Sequence, residues 1–180
     1  MTCARTRSRS RRTDSTLSGC TRFGSPKALA QIGGRTLAEL AWEALAVCDE
    51  RLAVGKAADA LALPFPVLDD GTGVRAPIAG VVAVLRAARH ELCIVLPVDT
   101  PRVGREELLA LAARCADVAV PQTGPLPGAY RKTALPALEA ALAEGHVALS
   151  EALAGLDVVH VEIDPQALID VNTRHDLARL

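Results

Sequence analysis

Three observations predict an α/β fold with a parallel or mostly parallel sheet and helices on both faces. Helical apolar patterns alternate with short aliphatic runs along the whole chain. The run Leu92-Cys93-Ile94-Val95-Leu96 contains no polar residue, which a strand covered on both faces requires. Only four aromatic residues occur, Phe23, Trp42, Phe65 and Tyr130, so the core has to be built from Leu, Val and Ala. At 180 residues the chain fits one domain with a sizeable core.

Residues 1–16 hold almost nothing a core could use and are expected to form a disordered, Arg/Ser-rich head. The next segment, Leu17-Ser18-Gly19-Cys20-Thr21-Arg22-Phe23-Gly24-Ser25-Pro26-Lys27-Ala28, combines glycines, hydroxyl residues and two cations. Such a loop can wrap N–H groups and positive charge around a phosphate chain, and it can equally be an ordinary surface loop. Gly33-Gly34 marks a turn. Thr36 caps a helix whose apolar residues Leu37, Leu40, Ala41, Ala44, Leu45 and Cys48 share one face.

Leu52–Gly55 and Phe65–Leu68 are short strands, the second followed by Asp69-Asp70. Gly71–Gly80 leads into an apolar helix, and Pro77 suits its first turn because the missing N–H costs nothing there. The N–H groups beyond it can receive a base edge or a phosphate. After Leu96 the chain reads Pro97-Val98-Asp99-Thr100-Pro101, which places Asp99 at the carboxyl end of a central strand. Ligands of open α/β sheets bind at that edge, where a carboxylate can hold a metal against a phosphate. An Asp before Thr-Pro is equally a turn former or cap.

A helix over Gly104–Cys115 and a strand over Asp117–Pro121 come next. Gln122–Gly128 is a Pro/Gly-rich loop, Ala129–Lys132 an edge strand, and Leu135–Glu144 and Ala148–Ala154 are helices. Asp157–Ile163 alternates as a strand with one exposed face, and Ile169–Thr173 precedes a last helix capped by Asn172 or Thr173.

Composition excludes several functions. No apolar run approaches the roughly 20 residues of a membrane helix, so no membrane partner is expected. The net charge of −1 hides five arginines at Arg5, Arg7, Arg9, Arg11 and Arg12, and residues 13–180 carry 15 basic against 21 acidic side chains. A body of that sign argues against nucleic acid. The five cysteines are far apart and lack a Cys-x-x-Cys pair, which argues against a zinc or disulfide framework. Cys48, Cys93 and Cys115 are read as small core residues in a reducing, cytoplasmic setting. His90, His146, His160 and His175 are not spaced as metal ligands and are given structural roles.

The order of the motifs is more specific than any one of them. The basic loop ending in Pro26-Lys27-Ala28-Leu29 is followed by Gly33-Gly34-Arg35-Thr36-Leu37, Ala76-Pro77-Ile78-Ala79-Gly80, Val98-Asp99-Thr100-Pro101 and Asp170-Val171-Asn172-Thr173. This series resembles the molybdenum cofactor guanylyltransferases over about Leu17 to Leu180. The resemblance implies a three-layer, Rossmann-like nucleotidyltransferase domain over residues 17–180. It also implies an enzyme that joins GMP from GTP to molybdopterin with magnesium and releases pyrophosphate.

By the same resemblance, Leu17, Ser18, Gly19, Arg22 and Lys27 hold the nucleotide, and Asp69 matches a nucleotide-binding acid. Ala76, Pro77 and Gly80 stand where the family's Gly-Pro-Leu-Ala-Gly helps enclose guanine. Asp99 matches the magnesium ligand and Asn172 an asparagine near the reacting end, with Lys27 and Asp99 as the catalytic pair. A monomer or weak oligomer is expected.

The chain also departs from the family pattern. Its loop is two residues shorter, Cys20 replaces the second glycine, and Asp170 replaces the first asparagine of the last element. Arg5–Thr16 offers no aliphatic residue for the strand the family places before that loop. Two expectations follow: the head replaces that strand and weakens the enzyme, or the natural chain starts differently. Alternative functions are a relative using CTP or another phosphorylated acceptor, and a nucleotide-binding paralogue with weakened catalysis.

Overall fold

In the computed structural model, residues 2–4, 15–16 and 27–178 are described. The main sheet runs in the order β10-β8-β9-β7-β1-β5-β2, and β6 pairs with β5 as well. One half of the sheet comprises β10 (Val158–Val161), β8 (Val118–Pro121), β9 (Gly128–Arg131) and β7 (Leu92–Val95). The other half comprises β1 (Thr2–Ala4), β5 (Glu50–Gly55), β2 (Ser15–Thr16) and β6 (Val67–Asp69). β10 pairs parallel with β8, and both β2 and β6 pair parallel with β5. β9 runs antiparallel to β7 and β8, and β1 runs antiparallel to β5 and β7. It follows that β5, β6, β7, β8 and β10 all point the same way and finish at one edge.

Each face of the sheet carries its own core. Leu92, Ile94, Ala53, Ala119 and Ala129 face a cluster completed by α1 (Leu37–Ala44) and α3 (Arg105–Arg114). Cys93, Val95, Val54, Val118, Val120 and Tyr130 face α2 (Pro77–Ala87), α4 (Leu135–Ala143) and α5 (Leu149–Ala152). β7 is buried at every position, as its unbroken apolar run predicts. The Thr36 cap of α1 is a full capping box with Glu39, and the helix tightens into a 3₁₀ turn over Leu45–Val47. Gly33 and Gly34, both with positive φ, close a small hairpin between β3 (Gln31–Ile32) and β4 (Arg35–Thr36). The last helix, α6 (Arg174–Leu177), starts from the Thr173 cap.

Three expectations are corrected. The head is not wholly outside the sheet: the backbone of Thr2–Ala4 lies between β5 and β7, and that of Ser15–Thr16 pairs with Ala53–Val54. Both tracts are uncharged, and a ladder needs only free peptide groups. The strand expected at an edge over Ala129–Lys132 is β9, enclosed between β7 and β8. Its residues Gly128, Ala129 and Tyr130 are buried, and only Arg131 is exposed. Cys48, read as a small core residue in a reducing setting, is partly buried and disulfide-bonded, whereas Cys93 and Cys115 are buried. Among the described residues no helix is long and apolar enough to cross a membrane.

Tyr130 shows how β9 is held. Its ring is fully buried and its hydroxyl donates to the Pro125 carbonyl at 2.5 Å. Burial pushes its phenol well above the ordinary value, so it remains a donor throughout. A Cβ on Gly128 would lie 2.7 Å from the Tyr130 ring and 2.8 Å from that same carbonyl oxygen. Gly128→Ala is therefore expected to destabilise the fold by about 1–3 kcal/mol through overpacking, measured as a fall in the urea unfolding midpoint. Tyr130→Phe, which strands the carbonyl, is expected to cost about 1–3 kcal/mol. Unchanged midpoints would contradict this account of β9.

Candidate active site

The edge where the parallel strands finish gathers the polar residues that the motif order singles out. Lys27 opens a 3₁₀ turn over Lys27–Leu29 and is only 3% exposed. Its Nζ donates to Asp99 Oδ2 at 2.8 Å and to Asn172 Oδ1 at 2.9 Å. A buried ammonium needs partners of this kind, because desolvation without them is costly. Three residues separated by 72 and 145 positions in sequence thus meet at one nitrogen.

Each partner is fixed locally. Asp99 follows β7, and the turn behind it is closed by Thr100, whose buried hydroxyl donates to the Pro97 carbonyl. The Val171 N–H donates to the Asp99 carbonyl at 2.7 Å, tying the last connection to the central strand. The Asn172 and Thr173 N–H groups both donate to Asp176, whose carboxyl they hold below its ordinary range together with the Thr173 hydroxyl. Asn172 therefore enters the cluster from a capped helix start.

Asp170 adds a second carboxyl. Desolvation raises its pKa, the Asp99 charge raises it further, and Lys27 opposes both. Asp99 uses Oδ2 on Lys27 and leaves Oδ1 without a hydrogen-bond partner among the described residues. Its side chain is 31% exposed, so the carboxylate is only partly covered. Among the described residues no group of three or more His, Cys, Asp or Glu side chains could hold a metal by protein ligands alone. One or two carboxylates completed by water and phosphate oxygens are nevertheless the usual environment of magnesium, and Asp99 with Asp170 fits that donor set.

Asp69 and Ala76–Gly80 lie apart from this cluster on the same edge. Asp69 closes β6, and its carboxylate accepts from the Ala57 N–H at 2.6 Å and the Gly71 N–H at 2.8 Å. Those two donors, Ala57 first, hold its pKa below the ordinary value. The loop is braced underneath by Lys56, which donates to Asp70 at 2.7 Å and to the Thr72 carbonyl at 2.8 Å. Ala76 caps α2 with no side-chain bond and Pro77 is exposed beside it, while Ile78, Ala79 and Gly80 are buried. The helix start thus offers backbone rather than side-chain chemistry. Leu17, Ser18, Gly19 and Arg22 lie outside the described residues.

Sequence reasoning identified Lys27, Asp99 and Asn172 but missed the Val171-to-Asp99 bond and the Lys56–Asp70 brace. Backbone pairing between distant segments leaves no residue-type signal. The adjacency of Lys56 to strand β5 and of Asp70 to β6 could have suggested the second.

Known proteins resemble this chain in both sequence and fold. The profile of the MobA-like NTP transferase domain matches residues 19–159. A probable molybdenum cofactor guanylyltransferase of Bacillus subtilis is 31% identical over 182 residues, 88% of each chain. The crystal structure of molybdopterin-guanine dinucleotide biosynthesis protein A from Archaeoglobus fulgidus superposes with a TM-score of 0.78 at 25% identity, covering 94% of this chain and 96% of that one. The 2-C-methyl-D-erythritol 4-phosphate cytidylyltransferase of Thermus thermophilus shares the fold, with a TM-score of 0.72 at 24% identity over 92% and 95% of the two chains. With a Rossmann-like three-layer architecture and a domain match over most of its length, this chain belongs to the MobA-like NTP transferase family.

Proposed function

We propose that the chain transfers GMP from GTP to molybdopterin. The observation that carries this reading is the buried Lys27 ammonium, shared by Asp99 and Asn172 at the sheet edge. Relatives aligned over most of the chain support the choice of substrates. A nucleotide triphosphate substrate sets the reaction in the cytoplasm.

In this reaction a phosphate oxygen of molybdopterin forms a bond to the α-phosphorus of GTP. The bond from that phosphorus to the pyrophosphate oxygen breaks, and its electron pair leaves with pyrophosphate. The attacking oxygen is already anionic, so no general base is required. Catalysis then consists of positioning and charge neutralisation. Lys27 donates to the phosphates from a fixed position, because Asp99 and Asn172 restrict its side chain. Asp99 and Asp170 are the residues that would hold magnesium, which would neutralise charge on the triphosphate. Leu17, Ser18, Gly19 and Arg22 are assigned to nucleotide binding by their place in the order of motifs. Asp69 is assigned to nucleotide binding through the loop it shapes, and Ala76, Pro77 and Gly80 to the enclosure of guanine.

Release of pyrophosphate and formation of the guanine dinucleotide are measured with GTP, molybdopterin and magnesium, with CTP in parallel. Turnover with GTP and not CTP is expected. Turnover with CTP alone would replace guanine by cytosine as the base, and nucleotide binding without turnover would mark a non-catalytic paralogue. Asp99→Asn is expected to lower turnover by about 10²-fold or more, the scale of losing one preorganised charged group. Unchanged turnover would remove Asp99 from the mechanism.

Asp170 yields a stability prediction of defined sign. Its folded pKa lies above the ordinary 3.8, so its ionisation opposes folding. That cost is absent below the unfolded pKa and complete once the pH exceeds the folded one. Asp170→Asn is therefore expected to raise the melting temperature near neutral pH, with the gain shrinking as the pH falls towards 3.8. Calorimetric scans across that range read the effect, and a neutral-pH melting temperature that does not rise would contradict it.

A further inference from the structure

We propose that Gln122 is a positioning residue for the segment that carries Asn172 into the site. The proposal rests on the assignment of Asn172 to the nucleotide site made above. β8 ends at Pro121, which has no N–H with which to extend its ladder against β10 beyond Val161. The side-chain amide of the next residue takes over. Gln122 Nε2 donates to the Ile163 carbonyl at 2.6 Å, and Gln122 Oε1 accepts from the Ile163 N–H at 3.1 Å. One amide thereby holds both backbone groups of one residue, fixing its rotation as well as its position.

Beyond Ile163 the chain leaves the sheet. It turns through Asp164, whose carbonyl accepts from Ala167 and whose carboxylate accepts from Gln166, and Asp164, Pro165 and Gln166 are all exposed. The next bond tying the path to the rest of the fold is that from Val171 N–H to the Asp99 carbonyl, and Asn172 follows directly. The stretch 164–170 is thus tied by hydrogen bonds at Gln122 on one side and Asp99 on the other, and between them it rests on the core through the partly buried Ala167 and Leu168. Buried Ile163 and Val171 belong to the same core cluster and flank it. Gln122 itself is exposed, so replacing it opens no core cavity. Its amide serves the path of the connection rather than the packing of the domain.

The test is a double-mutant cycle on the full chain, using Gln122→Met, Asn172→Ala and the two together. Gln122→Met keeps the side-chain length and removes both bonds. It is expected to lower kcat for GTP and molybdopterin by about tenfold, a loss of the size that small misplacements produce. The double variant is expected to be no slower than Asn172→Ala alone, because both changes act through one group. Hydrogen exchange supplies a readout that is independent of turnover. In Gln122→Met the amides of 164–172 are expected to exchange faster, while those of 158–161 keep their protection.

Losses that multiply in the double variant would overturn the proposal, as would unchanged exchange over 164–172. If Asn172→Ala leaves kcat unchanged, the nucleotide-site assignment fails and the positioning role fails with it. If Asn172→Ala is impaired and Gln122→Met is not, only the positioning role fails.

Discussion

A single buried ammonium organises the functional end of this molecule. Lys27 cannot stay buried without a counter-charge, and Asp99 supplies one from the central strand while Asn172 supplies a neutral acceptor from the far end of the chain. Asp99 has to sit just beyond β7, and β7 has to be covered on both faces for the carboxylate to emerge at a fixed point. The 164–172 connection has to return across the sheet edge, which is what the Val171 bond to Asp99 enforces. Removing Asp99 leaves a buried ammonium without its counter-charge, and removing Asn172 leaves it one acceptor short.

The sheet supplies the geometry for this convergence. The parallel strands finish together, so β5 and β6 deliver the Asp69 loop and β7 delivers Asp99 on the same side of the molecule. The antiparallel strands interrupt that order without spoiling it. β9 contributes the Tyr130 anchor between β7 and β8, and β1 fills the place between β5 and β7 with its direction reversed. The acidic residues at the edge differ in how they are held: Asp69 is occupied by backbone N–H groups, whereas Asp99 is only partly covered. That difference separates a carboxylate engaged in shaping its own loop from one paired with a buried ammonium.

Much of this was legible in the residues, and the limits have physical causes. β7, α1 and α2 could be read because an unbroken aliphatic run, a Thr36–Glu39 box and Pro77 are local signals. β9 was placed at an edge because its neighbours are fixed by long-range pairing, which no local pattern encodes. The Lys27–Asp99–Asn172 contact spans 145 positions, and only the order of separate motifs pointed to it. Gln122 lay inside a Pro/Gly-rich loop with no feature to distinguish it. Its role depends on Pro121 ending one strand beside Ile163 ending another. The disulfide at Cys48 was hidden for a similar reason, since scattered cysteines without a spacing motif do not reveal which side chains meet.

The central claim is that Lys27 is the phosphate-facing cation of a nucleotide site, and titration calorimetry tests it directly. GTP with magnesium is titrated into the unmodified chain and into Lys27→Ala. Binding by the unmodified chain that weakens by about tenfold or more on losing Lys27, the scale of a charge-assisted contact to phosphate, is the predicted result. Equal affinity in the two proteins would show that nucleotide binds elsewhere, if at all, and that the Lys27–Asp99–Asn172 cluster serves only to hold the fold together.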